Sequence, residues 1–349
     1  MTKKDNSQRP LGLVRVGVRL LDSSMVVKDR LGMTRRDRQS LDVAKLYYSG
    51  LSQSEVADIM HISRPNVSKL LTYAKGRGFV KINIEDPREQ DRELIDALRS
   101  VFSLDEVRLV SPPRRRDVDI RKALGKAGAD LFMNLVRDGD TVGVYWSRTI
   151  QSLTASLRTL DLQRVTVVQL GGDLKMPSMD LSTRNSFREL RQSLKAEVHM
   201  MGYPIVMESA GAKLTIEREG TVSRAMELAR RARIVLYSVG SVSSEGNLLH
   251  SPLISKDERE FLAAHSVGEV CSHFIDSDGR VCLPDLNNRT LGISLPDLRH
   301  SEQKILLAGG ADKLCAINAA LIRGYANRLV IDTATARMLY ALTQKKKGK

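Results

Sequence analysis

The order of periodic segments predicts an α/β protein in which a small helical unit precedes a larger unit with a mostly parallel sheet. Three observations carry this. Residues 37–78 hold three short helical patterns, each with a start or stop signal. Beyond residue 105, apolar strands run repeatedly into helical segments, the pattern of parallel strands with crossover helices. The basic surplus is uneven: residues 1–87 hold 16 Lys and Arg against 9 Asp and Glu, whereas residues 88–344 hold 35 against 32.

The helical unit reads clearly. Val43, Leu46 and Tyr47 give one apolar stripe, and Gly50 stops it. Ser52 lies three residues before Glu55, the spacing of a capping box. Val56, Ala57, Ile59 and Met60 form the apolar face of this second helix, and His61-Ile62 makes a turn. Ser63 caps a third helix with Val67, Leu70, Leu71 and Ala74 inward, stopped by Gly76 and Gly78. Val80 to Ile84 alternates at period two and predicts a strand or wing.

Three helices with a tight turn before the third predict a helix-turn-helix, whose third helix enters the major groove of double-stranded DNA. The residues at its start suit that task. Arg64 can fork onto guanine and Asn66 can pair with adenine. Ser63, Ser68 and Lys69 can hold phosphates, and Pro65 sits in the first turn. The ordinary alternative is a three-helix bundle with a polar outer face, but no acidic residue falls between Ser63 and Gly78.

Residues 87–104 predict an amphipathic helix that starts at Pro87, joins the two units and offers a self-association face through Leu94, Ile95, Leu98, Val101 and Phe102. Ser111-Pro112-Pro113-Arg114-Arg115-Arg116 is a loop. Strands are expected at 141–145, 165–170, 234–239, 270–275, 304–308 and 329–332. The domains then run as an extension (1–36), a DNA-binding unit (37–86), a linker helix (87–104), an effector unit (105–343) and a basic tail (344–349).

In open α/β sheets ligands bind at the carboxyl ends of the strands. Ser147, Arg148 and Thr149 follow one strand and offer hydroxyls, a cation and a helix start to a phosphate. Gly171-Gly172 and Gly309-Gly310 allow close backbone approach at two more strand ends, although such pairs are often only turns. Lys313 lies one turn beyond the second pair and can pair with a phosphate, Asp276 can accept a sugar hydroxyl, and Lys175 could form a Schiff base with an aldehyde sugar. Trp146, the only tryptophan, reads more readily as core, and Asp278-Gly279 as a hairpin turn.

Other classes fit less well. The apolar stretch Leu11–Leu21 is broken by Arg15 and Arg19, and no run reaches the ~18–20 apolar residues of a membrane helix. Cys271, Cys282 and Cys315 are widely spaced and read as reduced core residues of a cytoplasmic protein, with no metal site and no cofactor expected. A sugar-phosphate isomerase with an appended binding module would need a placed base such as Asp276 or Glu269. A nonspecific architectural DNA binder would leave the large neutral unit without a task.

The stretch Ser63 to Leu71, followed by Gly76-Arg77-Gly78-Phe79-Val80, resembles the DNA-binding end of the SorC family of bacterial sugar-responsive transcription regulators. So do Gly143-Val144-Tyr145-Trp146, Val168-Gln169-Leu170, Phe274 to Gly279 and, most specifically, Ala308-Gly309-Gly310-Ala311-Asp312-Lys313. The likeness covers roughly residues 37–342. It implies a winged helix-turn-helix joined to a Rossmann-like, sugar-isomerase-type domain without catalysis, a phosphorylated sugar effector, and homodimers or homotetramers. It also implies that Ser147, Arg148, Thr149 and Lys313 hold phosphate and that Asp276 binds sugar. This chain departs at one place: Ser147 and then Arg148 follow the tryptophan, where the family usually has glycine next. Either the ligand differs or Arg148 itself reads the anion.

Overall fold

The computed structural model describes residues 33–82, 86–173, 177–242 and 248–347. The chain divides into two units, Met1–Ile84 and Glu85–Lys349. The extension up to residue 32 lies outside the described residues.

The first unit holds α1 (Arg35–Tyr48), α2 (Gln53–Ile59) and α3 (Arg64–Gly76). Helix α1 starts two residues ahead of the expected Asp37, because Thr34 and Asp37 form a reciprocal capping box. The Ser52–Glu55 box forms as expected, with a 2.7 Å bond from the Ser52 N–H to Glu55. The turn into α3 passes through His61 at φ 52°, and the Ile62 N–H returns to the Ala57 carbonyl at 3.0 Å. Val43, Ala44, Val56, Ala57, Val67, Leu70, Leu71 and Ala74 close one small core. The wing differs from expectation: residues 80–82 form no strand, and Asn83 and Ile84 lie outside the described residues. No strand of this unit is described for them to pair with, and an unpaired strand is not stable in water.

The second unit opens with a 3₁₀ turn at Pro87–Gln90, then α4 (Arg92–Phe102), so the single expected helix is broken at Asp91, whose side chain caps Leu94. Then follow β1 (Glu106–Val110), α5 (Asp117–Leu135), β2 (Thr141–Val144), α6 (Arg148–Thr154), β3 (Thr166–Gln169), α7 (Pro177–Leu194) and β4 (Glu197–His199). Next come α8 (Ala210–Glu217), α9 (Gly220–Arg230), β5 (Ile234–Tyr237), β6 (Val239–Gly240), α10 (Lys256–His265), β7 (Gly268–Val270) and β8 (His273–Ile275). The unit ends with α11 (Pro284–Asn288), α12 (Leu295–His300), β9 (Gln303–Leu307), α13 (Leu314–Ile322), β10 (Arg328–Asp332) and α14 (Thr333–Lys347).

Seven strands form one parallel sheet in the order β1-β10-β9-β5-β2-β3-β4. Successive residues along each strand feed opposite cores, as the strand period of two requires. Ile234 and Leu236 enter the core shared with α5, α6 and α7, whereas Val235 and Tyr237 enter the core shared with α4, α9 and α13. Both faces are covered, so the strands read as continuous apolar runs. Helix α4 packs within the second unit: Leu94, Leu98 and Phe102 are buried in this unit's own core, so the face expected to self-associate is covered within the protomer.

The segment 270–275 is also not a parallel strand. It belongs to a separate antiparallel sheet, β6-β7-β8, and turns at Cys271 (φ 47°) and Ser272 (φ 72°). Two successive positive-φ residues close a two-residue hairpin, a conformation unfavourable for side chains other than Gly or Asn. Both side chains are buried, Ser272 against the Tyr145 phenol at 2.6 Å.

Candidate functional site

The start of α3 presents a polar face without acids. Ser63, Arg64, Pro65, Asn66, Ser68 and Lys69 are exposed, while Val67 and Leu70 between them are buried. The burial period therefore separates the core stripe from the outward face that the sequence suggested. Ser63 occupies the N-cap position, but its hydroxyl makes no capping bond, contrary to the cap expected of it. Pro65 fits the first turn, where its missing N–H costs nothing. Helix α3 is fixed from behind: Tyr73 and Arg77 both donate to Asp37 on α1 at 3.0 Å, and the Arg36 guanidinium lies 4.4 Å over the Tyr73 ring.

A second constellation lies at the carboxyl ends of the parallel strands. The loops after β1, β2, β3 and β9 all leave the sheet on that side, because all seven strands point the same way. A narrow cleft is lined by Tyr145, Trp146, Gln169, Gly171, Gly172, Asp173 and Thr183. It shares Asp173 and Thr183 with a cavity of about 240 Å³ that reaches Arg184 and Tyr203. Trp146 thus lines a cleft rather than filling core, and its Nε1 is buried without a hydrogen-bond partner. Gln169 bridges two loops, donating to Asp173 at 2.7 Å and accepting from the Met201 N–H at 3.0 Å.

The glycine pairs are required by packing as much as by any ligand. A Cβ on Gly172 would lie 2.7 Å from the Ile205 Cα and the Tyr203 carbonyl, and its N–H already donates to Leu291 at 3.0 Å. A Cβ on Gly309 would meet Asp332 at 2.4 Å and Ile120 at 3.1 Å. Gly310 takes φ 99° and gives its N–H to Asp332 and Thr335. The amides of Gly172 and Gly310 are therefore spent inside the protein.

The cations do converge. Lys313 is half-buried, and burial is the main cause that lowers its pKa, with Arg121 and Arg148 acting in the same direction. Asp312 and Glu269 oppose that shift. Lys313 makes no ion pair among the described residues. Burial likewise lowers the pKa of Arg121, which Arg148 reinforces; Arg121 also pairs with Asp117. Glu269 is the acid at this place. Burial pushes its carboxyl up to about 7, Lys313 pulls the other way, and its Oε2 is buried without a partner. A Cβ on Gly240 would sit 2.7 Å from the Glu269 carboxylate, so the glycine there makes room for it.

Asp276, in contrast, serves its own hairpin. Its Oδ1 accepts from the Asp278 and Arg280 N–H groups at 2.9 and 2.8 Å, and the Asp278-Gly279 turn closes as expected. Short polar side chains next to Asp-Gly turns commonly satisfy local amides. The other acid named from the sequence, Glu269, lies on β7 near Lys313 instead. Ser147 is the N-cap of α6, accepting from the Ile150 N–H at 3.1 Å, with Arg148 exposed and Thr149 buried behind it. Lys175 lies outside the described residues. Arg121 had no local signal, since only the fold brings it near Lys313 and Arg148, whereas Gln169 sits in a strand-end segment that the sequence singled out. Cys315 is exposed rather than core, and Cys271 and Cys282 are free thiols.

Among the described residues no group of His, Cys, Asp and Glu could hold a metal ion, and no helix is long and apolar enough to cross a membrane. A helix-turn-helix unit and an α/β unit with a polar, cation-flanked cleft define a regulator that joins DNA contact and ligand sensing in one chain. The family model "Putative sugar-binding domain" matches residues 86–341. The deoxyribonucleoside regulator of Bacillus subtilis (strain 168) is 35% identical over 309 residues, covering 88% of this chain and 99% of that protein. The sorbitol operon regulator of Klebsiella pneumoniae is 28% identical over 310 residues, covering 86% and 97%. The crystal structure of the full-length sorbitol operon regulator SorC from Klebsiella pneumoniae superposes with a TM-score of 0.70 at 27% identity, covering 90% of this chain and all of that one. The chain belongs to this sugar-binding family of SorC/DeoR-type transcriptional regulators.

Proposed function

We propose that the effector is a phosphorylated sugar or a related carbohydrate metabolite, bound at the strand-end site, and that it controls operator binding. The observation that carries this is a strand-end cleft of hydrogen-bonding side chains, with Lys313, Arg148 and Arg121 close enough at the same strand ends to raise one another's electrostatic cost. A half-buried ammonium repelled by two guanidinium groups is less favourable alone than once an anion enters. Gln169, Asp173, Thr183 and the unpartnered Trp146 N–H supply the donors and acceptors that sugar hydroxyls need. Glu269 offers a further acceptor near Lys313.

Ser63, Arg64, Asn66, Ser68 and Lys69 read the operator, with Arg64 and Asn66 at base edges and the others at phosphates. The chain acts as a homo-oligomer on a two-fold site, and the ligand favours one arrangement of the subunits, which changes the spacing of the recognition helices. It senses its ligand and does not turn it over: Glu269 serves as an acceptor and not as a proton-abstracting base.

The test is a titration of the full-length protein with phosphorylated and unphosphorylated sugars, read by the fluorescence of Trp146 and by melting temperature, since a ligand of the folded state raises that temperature. The expected result is a shift with one sugar phosphate and none with its unphosphorylated form, together with a changed footprint on operator DNA. A response confined to unphosphorylated sugars overturns the ligand class. Conversion of the added sugar phosphate overturns the sensor assignment.

A further inference from the structure

The polar face of α3 does not stop at Lys69. Arg64, Ser68, Thr72 and Lys75 follow one line along the helix at spacings of four and three, and Pro65, Lys69, Tyr73 and Arg77 follow the next at spacings of four. Tyr73 is half-buried and the others are exposed. The acid-free face therefore runs the length of α3 into its last turn, where α1 meets it.

Arg36 is the residue of α1 that makes this meeting. Its guanidinium lies 4.4 Å over the Tyr73 ring, and Arg77 lies 5.5 Å over the Phe79 ring. An aromatic face holds a guanidinium flat and leaves its N–H edge open to a fork with an oxyanion. Arg77 spends its Nε–H on Asp37, whereas Arg36 and Lys75 make no ion pair among the described residues.

Helix stability does not account for Arg36. Arg35 and Arg36 fill the first two positions of α1, where the helix dipole disfavours cations. Asp37, the acid of that turn, is buried and already accepts from Thr34, Tyr73 and Arg77. An anion from outside the unit would relieve this arrangement.

We propose that Arg36 and Lys75 form a second phosphate-binding edge of the DNA-binding unit, which holds the duplex backbone beside the last turns of α3. The inference rests on the assignment of Arg64 and Asn66 to base edges and extends it. Helix α3 is about 20 Å long at 1.5 Å per residue, against a major groove about 12 Å wide. With its first turn at the base edges, the straight helix brings its last turn to the bordering sugar–phosphate chain. Arg36 and Lys75 flank α3 there, Arg36 as a fork and Lys75 as a point charge. Neither contact carries sequence information. Tyr73 is a positioning residue: tied to Asp37 by its phenol, it fixes the plane of the Arg36 guanidinium.

The experiment uses the full-length protein and two labelled duplexes, one of random sequence and one that the unaltered protein selects from a random pool. Binding is followed by fluorescence anisotropy between about 50 and 200 mM salt. The plot of log affinity against log salt should lose about 0.9 of its slope with Arg36→Gln, as much with Lys75→Gln, and about 1.8 with both. At about 0.1 M salt each single change should weaken both duplexes roughly five- to tenfold, with their ratio unchanged. Arg36→Lys should keep the slope, because the charge remains. Melting temperatures of all four variants should stay near that of the unaltered protein. An unchanged slope in the double variant overturns the inference and leaves the base-reading helix standing. Weaker binding at an unchanged slope overturns it too, because the effect then lies in the seating of α3. A changed ratio between the duplexes makes Arg36 or Lys75 a base contact and likewise overturns it. An unaltered protein that binds neither duplex, or selects no sequence, overturns the base-reading assignment and this inference with it.

Discussion

The Tyr73 phenol donates to Asp37 Oδ1 across 3.0 Å, tying the body of the recognition helix to the first turn of α1. The same oxygen accepts from Arg77 at 3.0 Å, while Oδ2 accepts the Thr34 N–H at 2.9 Å. One buried carboxylate thus caps one helix and orients another. Its position 36 residues from Tyr73 in sequence means that only the closed three-helix unit assembles it.

The Thr34 backbone bond is the main cause that lowers the Asp37 pKa from 3.8 to about 2, with Tyr73 and Arg77 adding to it. A carboxyl whose folded pKa is depressed stabilises the fold above its unfolded pKa, and that contribution fades as pH falls through the folded value. The helix-turn-helix unit should therefore lose stability between about pH 4 and pH 2. Hydrogen exchange at α1 and α3 amides will show this as accelerating exchange in that window. Asp37→Asn should flatten the dependence and lower the melting temperature of this unit, on the order of 5 °C. An unchanged acid profile in that variant would falsify the latch.

Arg64→Ala should cost about 1–3 kcal/mol of discrimination between operator and random DNA. Lys69→Ala should weaken binding to both alike and reduce the salt slope by about one. Competition binding at several salt concentrations separates the two. If Arg64→Ala weakens operator and random DNA equally, Arg64 contacts backbone and not a base.

The sequence makes the first unit almost wholly legible, because each of its signals is local: the Ser52–Glu55 box, the Gly50 stop and the α3 burial period all lie within a few residues. The large sheet is legible for a related reason, since β2, β3, β5, β9 and β10 are buried on both faces and read as apolar runs. The edge strands β1 and β4 are not, as half-buried edges carry polar residues such as Arg108 and His199. The site is only partly legible. Lys313 and Arg148 sit in motif-bearing loops, whereas Glu269 and Arg121 join them through tertiary packing alone. Asp276 shows why: a strand-end acid in a turn looks alike in sequence whether it serves a ligand or its own backbone. Residues 270–275 misled because a buried hairpin with Cys271 and Ser272 at its tip lacks the Asn-Gly signal of such turns.

Gly172→Ala should destabilise the effector unit by about 1–3 kcal/mol, the range for forced overpacking. The added methyl would meet backbone atoms of Ile205 and Tyr203 at 2.7 Å, and backbone cannot step aside as a flexible side chain can. Denaturant unfolding followed by Trp146 fluorescence reads this directly. Gly171→Ala should cost less, because its nearest neighbour is the edge of the Tyr145 ring at 3.0 Å. Equal costs for the two would mean that the loop yields as a whole.

Glu269 makes the effector unit sensitive to pH in the opposite direction from Asp37. Burial raises its pKa from 4.5 to about 7, so the folded unit holds this proton more tightly than the unfolded chain. The resulting stabilisation is complete below about pH 4.5 and is lost as pH rises through about 7. The shift corresponds to roughly 3 kcal/mol across that window, an order-of-magnitude figure at 1.36 kcal/mol per unit. Without ligand, the melting temperature of the effector unit should fall between pH 5 and pH 8, and Glu269→Gln should remove most of that fall by keeping the group neutral. Once Glu269 is ionised, a hydroxyl donated to its unpartnered Oε2 offsets part of the desolvation, so the ligand-induced rise in melting temperature should be larger at pH 8 than at pH 6. A ligand response in Glu269→Gln that grows with pH as steeply as in the unaltered protein would place the titrating group elsewhere.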